Sequence, residues 1–122
     1  MDQQKFSLRS RARSFRYAGA GIVSFLKAEH NARIHLVATL LVIAAGWALK
    51  VTHGEAALLA LAVGLVWITE IINTAIEKTM DFLSRDQHPE IKFIKDLAAG
   101  AVLVASVTAI IIGSFIFIPK FL

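Results

Sequence analysis

Two carboxylates and a carboxamide stand in the run Glu70-Ile-Ile-Asn73-Thr-Ala-Ile-Glu77, which is otherwise suited to lipid. Ionisable groups in such surroundings are costly and mark function by default. Helical spacing of about 100° per residue puts Glu70, Asn73, Glu77 and Asp81 within roughly 80° of arc, with Glu70 and Glu77 about 10 Å apart along the axis. Oxygen ligands of this hard kind suit magnesium, and magnesium points to phosphate. Glu29 supplies a further carboxylate from a different helix. Lys95 and the N-terminal arginines would neutralise a polyphosphate, while a carboxylate not on the metal would accept a proton from a hydroxyl. These are the parts of a phosphoryl-transfer site, with no P-loop and no Gly-rich kinase loop in the chain.

Each feature also has a plainer structural reading. The Glu70, Asn73, Glu77 stripe could be an interhelical polar clamp that only fixes packing. Glu29 stands four residues before Arg33, the spacing of a surface ion pair on a helix. Lys95-Asp96 would suit the start of an interfacial helix, and His88 before Pro89 a solvated loop. Arg9, Arg11 and Arg13 fit a headgroup-binding face, with Tyr17 as an interfacial anchor.

The elements that position these residues belong to a membrane protein. A chain of 122 residues with 57% hydrophobic content and a mean hydropathy of +0.65 carries more apolar surface than a globular domain of this length buries. The expectation is an all-α fold in one domain, residues 1–122, with no β-structure and no sulfur chemistry, since there is no cysteine. Basic residues near the start are not followed by an uninterrupted apolar core before Ile34, so Met1 is expected to be the mature start. The net charge of +4 is uneven: residues 1–33 hold seven Lys/Arg against two acids, and residues 70–96 hold four against six. The basic end suits anionic lipid headgroups rather than nucleic acid, for which nothing else in the chain supplies a reading head.

Taken in order, residues 1–7 are polar and expected to fray. From about 8 to 27 an amphipathic surface helix is expected, with Phe15, Ile22, Phe25 and Leu26 on one side and Arg9, Arg13 and Arg16 elsewhere on the circle. Ala18-Gly19-Ala20-Gly21 should bend it or let something pack close. Three transmembrane helices follow at about 33–50, 56–77 and 97–118, the first two made antiparallel by a short turn containing Gly54. Residues 78–96 are expected as a structured polar connection in which Pro89 breaks any continuous helix. Lysine and arginine placement puts the N-terminus in the cytoplasm and the C-terminus outside.

The string Glu70-Ile-Ile-Asn73-Thr-Ala-Ile-Glu77, followed by Asp81 and by Lys95-Asp96-Leu-Ala-Ala-Gly-Ala-Val102, resembles the signature of the small prokaryotic diacylglycerol kinase and undecaprenol kinase family. The likeness runs from about Phe15 to Pro119 and includes Glu29, Arg33 and the three-span layout. It implies a homotrimeric, multi-pass kinase of the bacterial inner membrane, with active sites shared between protomers, that moves the γ-phosphate of MgATP to a lipid alcohol. By matching positions, Glu70 would be the general base at the lipid substrate, and Glu29 and Glu77 would hold magnesium. Asn73 would orient the phosphates or the base. Lys95, Asp96, Asp86, Gln87, His88 and Tyr17 would contact nucleotide, and Ala99 the lipid. Where the family has a basic residue near the chain start, this sequence has Ser10 between Arg9 and Arg11. The stretches Asn31-Ala-Arg-Ile-His-Leu-Val37, His88-Pro89 and Lys95-Asp-Leu-Ala-Ala-Gly100 look more like the undecaprenol branch, which makes undecaprenol the expected acceptor and diacylglycerol its alternative.

Two other classes compete with a kinase. One is an oligomeric transporter or channel subunit whose acids line a proton or cation path. The other is a scaffold whose basic helix binds acidic lipids. Against the first, the acids cluster at one end and the outer halves of the spans lack polar groups for a continuous pathway.

Overall fold

The computed structural model describes residues 6–122, and all of its regular structure is helical. The first five residues of the polar start lie outside the described residues. The elements are α1 (Leu8–Ala28), α2 (His30–Ala48), α3 (His53–Leu83) and α4 (Pro89–Phe117), closed by one 3-10 turn at Ile118–Phe121. They fall into two compact units, one ending at Ile34 and one running from His35 to Leu122.

In the first unit, Ser7 starts α1 by accepting the Ser10 N–H on its hydroxyl at 3.1 Å. The helix then runs without interruption through Gly19 and Gly21, and no atom lies within 4 Å of where a Cβ on either would stand. The close approach expected there is not present among the described residues. Glu29 ends α1 in an extended conformation. Arg33 closes the exposed carbonyl end, donating from Nε to the Leu26 carbonyl at 3.2 Å and from Nη2 to that of Lys27 at 2.8 Å. A cation at a helix C-terminus satisfies orphan carbonyls and opposes the helix dipole.

In the second unit the reversal after α2 is made by Lys50, whose φ of 54° is left-handed. The Val51 N–H then bonds the Gly46 carbonyl and the Lys50 N–H that of Trp47, the paired bonds of a Schellman ending in which glycine is the usual residue. Gly54, expected in this turn, already lies in α3. That helix is opened by a capping box: Thr52 Oγ1 accepts the Glu55 N–H at 3.1 Å, and Glu55 Oε1 accepts the Thr52 N–H at 2.9 Å.

The polar connection is shorter than its composition suggests. Lys78–Leu83 continue α3, and residues 89–96 form the first two turns of α4. Pro89 does not interrupt a helix because it occupies the first turn of one, where its missing N–H has no intrahelical partner to lose. His88 caps that turn, its Nδ1 accepting the Glu90 N–H at 3.2 Å.

α3 and α4 are antiparallel. Asp81 near the end of α3 pairs with Lys95 near the start of α4, and Glu55 at the start of α3 pairs with Lys120 just after α4. At 1.5 Å per residue the two ties are about 39 Å apart, more than the ~30 Å hydrocarbon layer and close to a bilayer with its headgroups. Three helices, His30–Ala48, His53–Leu83 and the run Pro89–Phe121, are long and apolar enough to cross a membrane. Their flanks stay largely uncovered: Leu41, Trp47, Leu61, Leu103, Ile110 and Phe115 are exposed, while buried apolar residues in this unit are few and include Leu59, Ala62, Ala105 and Ile116.

Candidate active site

The whole of 53–83 is helical, so the acidic stripe exists as one face of α3. Its environment is graded along the axis. Glu70 is buried, the only charged or polar residue so enclosed among those described; Asn73 and Glu77 are half-buried, and Asp81 is exposed. Thr69 stays off this network by donating back to the Leu65 carbonyl of its own helix at 2.8 Å.

Glu70 is met from α2. His35 Nε2 lies 3.0 Å from Glu70 Oε1, and both side chains are mostly enclosed. One turn further along, the Trp67 indole donates to Thr39 Oγ1 at 2.8 Å, and that hydroxyl donates to the His35 carbonyl at 2.7 Å. His35 and Thr39 share a face of α2 at i, i+4, as Trp67 and Glu70 share one of α3 at i, i+3. The result is a two-rung polar ladder between antiparallel helices. Sequence reasoning assigns His35 no role, although a signal was present: it is an ionisable residue inside an apolar span. Counted outward from the turn near Thr52, it stands at about the depth of Glu70.

Toward the exposed end, Asn73 Nδ2 donates weakly to Glu77 Oε1 at 3.4 Å, and Asn73 Oδ1 is buried without a hydrogen-bond partner. An orphaned amide oxygen beside a carboxylate is a donor set that fits a hard cation, since buried polar atoms are otherwise nearly always satisfied. Among the described residues, no group of three or more His, Asp or Glu side chains gathers as a metal cage. Glu29 and Tyr17 belong to the first unit, the former at the end of α1 and the latter exposed on it.

The remaining expected nucleotide contacts come together. Asp86, Gln87, His88, Lys95 and Asp96 all line one polar cavity at the α3–α4 connection, about 570 Å³ in volume, within the ~300–1,000 Å³ of small-molecule sites. Lys95 reaches out of it to pair with Asp81, and Asp96 accepts from Lys92 one turn back. Ala99 follows on α4 and is exposed.

The structure thus sets an enclosed carboxylate within a helix long and apolar enough to cross a membrane, with a polar cavity where that helix connects to the next. Residues 16–117 match the model of the family described as prokaryotic diacylglycerol kinase, and the chain belongs to that family. Among curated relatives, the undecaprenol kinase of Bacillus subtilis (strain 168) is 39% identical over 108 residues, 88% of each chain. The diacylglycerol kinase of a Synechocystis species is 40% identical over 110 residues, 89% of this chain and 63% of that one. That of Pseudomonas aeruginosa is 34% identical over 89 residues, 73% and 72% of the two chains. Membership makes the protein a prokaryotic lipid kinase, with ATP as the donor implied by its class. The channel-subunit reading is not favoured.

Proposed function

We propose that the protein is an undecaprenol kinase, carrying the γ-phosphate of MgATP to the terminal hydroxyl of that lipid, with Glu70 as general base. The observation that carries this reading is the burial of Glu70 at the dry end of the acidic stripe, where a lipid hydroxyl approaching from the bilayer meets it away from bulk water. Glu70 takes the hydroxyl proton as the lipid oxygen bonds to the γ-phosphorus. The bond from that phosphorus to the bridging oxygen breaks, and its electron pair leaves with ADP. In-line positioning and charge stabilisation supply most of the acceleration.

Glu77 and Glu29 would hold magnesium, and the Asn73 amide, its oxygen unpartnered, would orient the phosphates or the base. When bound, that ion neutralises the charge of the transferring phosphates. Asp86, Gln87, His88, Lys95 and Asp96 would hold the nucleotide in the polar cavity they line, Tyr17 is a further candidate nucleotide contact, and Ala99 would border the lipid. Residues 1–122 act as one kinase domain. α1 lies along the cytoplasmic headgroup layer of the bacterial inner membrane with its arginines on acidic lipids. The N-terminus is cytoplasmic and the C-terminus outside. A homotrimer in which partners complete one another's sites is the assembly that the family resemblance implies.

The identity to the Synechocystis diacylglycerol kinase supports diacylglycerol as the second acceptor to test. Both lipids end in a primary hydroxyl, so the chemistry at Glu70 is common to them. Purified protein in mixed micelles with MgATP and either lipid distinguishes the two. Undecaprenol is expected to give the higher kcat/KM, and faster turnover of diacylglycerol would reverse the assignment. Failure with both lipid alcohols would remove the kinase reading of this site.

A further inference from the structure

The geometry points to His35 as a positioning residue for Glu70, an inference that rests on Glu70 being the base. His35 Nε2 stands 3.0 Å from Glu70 Oε1 inside the apolar part of the α2–α3 pair. An ionised carboxylate only accepts hydrogen bonds, so the imidazole meets it as an Nε2–H donor. That bond fixes one carboxylate oxygen and leaves Oε2 to take the proton of the acceptor hydroxyl.

The second rung holds the imidazole's own backbone. Thr39 donates to the His35 carbonyl and accepts the indole N–H of Trp67, which lies one turn before Glu70 on α3. The base and its orienter are thereby tied to the same two turns of helix. A buried carboxylate without such a partner would be both costly and free to rotate.

The test turns on reach rather than polarity. In His35→Gln the amide nitrogen falls at about the position of Nε2, whereas in His35→Asn the same amide group stops one bond short. Both substitutions keep the site polar. With undecaprenol as acceptor, His35→Gln should keep kcat within about threefold of the unmodified protein, and His35→Asn should lose about ten- to a hundredfold. The KM for ATP should be unchanged in each, because the cavity lined by Lys95 and Asp96 is not touched. Equal kcat values for the two variants would overturn the proposal.

Glu70→Gln, assayed in parallel, separates this from the underlying reading. If it retains transfer, Glu70 is not the base and both fall. If it is inactive while His35→Asn matches the unmodified protein, only the role of His35 falls. A second measurement is 15N NMR of histidine-labelled protein, assigned by the signal absent from His35→Gln. A ring carrying a proton at Nε2 is expected for His35, and a ring protonated at Nδ1 alone would overturn the proposal.

Discussion

The α3–α4 pair is tied by a lysine and a carboxylate at each end, and the two ties are built differently. Where α3 begins, Glu55 Oε1 accepts from both Lys120 and the Thr52 backbone, while the Thr52 hydroxyl returns a bond to the Glu55 N–H. The polar groups there are occupied with one another, and their side chains are 27% and 22% exposed for Glu55 and Lys120. Near the α3–α4 connection, Asp81 and Lys95 are more open, at 48% and 34%, and Lys95 also borders the polar cavity. Further in, Asn73 Oδ1 has no partner at all. The end at Glu55 is closed upon itself, while the end proposed to receive the nucleotide keeps unused polar capacity.

The largest effect should come from Glu70→Gln. The substitution keeps the shape and a hydrogen-bonding group toward His35 but removes the proton acceptor. General acid–base steps contribute about 10²–10⁴-fold, so kcat should fall by at least about a hundredfold. Far-UV circular dichroism and ATP affinity should be unchanged. An unaltered kcat would place the base elsewhere on the stripe.

Asn73→Leu should come next. It removes the unpartnered oxygen and the weak donor to Glu77 while keeping the volume, so the magnesium concentration for half-maximal activity should rise by about tenfold or more. Thermal stability should hold or improve, because replacing an unsatisfied buried polar group with an apolar one relieves a cost. A loss of stability with unchanged magnesium dependence would make Asn73 part of the fold, as Glu55 is.

Lys95→Met tests the open tie. Charge-assisted hydrogen bonds contribute about 1.5–3 kcal/mol, so the KM for ATP should rise by roughly ten- to a hundredfold, with helix content unaltered. A change confined to stability would mean that Lys95 serves Asp81 rather than nucleotide.

The two ties themselves are not legible in the sequence, but the helices and the stripe that they frame are. Apolar runs of bilayer length gave the three long helices, and the 3.6-residue period gave the stripe from Glu70 to Asp81. Boundaries were less legible, because a helix continues wherever its residues tolerate it: Lys78–Leu83 propagate α3 beyond the apolar stretch, and Pro89 starts α4 rather than ending an element. The partnership of His35 with Glu70 depends on how α2 and α3 align after the turn. That register is set by the left-handed Lys50 and the Thr52 box, where sequence signals point to Gly54 instead.

The smallest effect is expected at the closed end, in Lys120→Met. Single ion pairs near the surface contribute little to stability, and the methionine stem keeps the apolar packing of the lysine. Glu55 keeps its bonds with Thr52, so α3 should still start at His53. Turnover of the lipid and the KM for ATP should both stay within about twofold, and only the rate of thermal inactivation should rise slightly. A marked loss of turnover would mean that the position of α4, held at one end by Lys120 and carrying Lys95 and Asp96 at the other, is transmitted along 25 residues of helix to the site. In that case the closed tie would be setting the geometry of the open one, and the two ends could no longer be treated as separate in function.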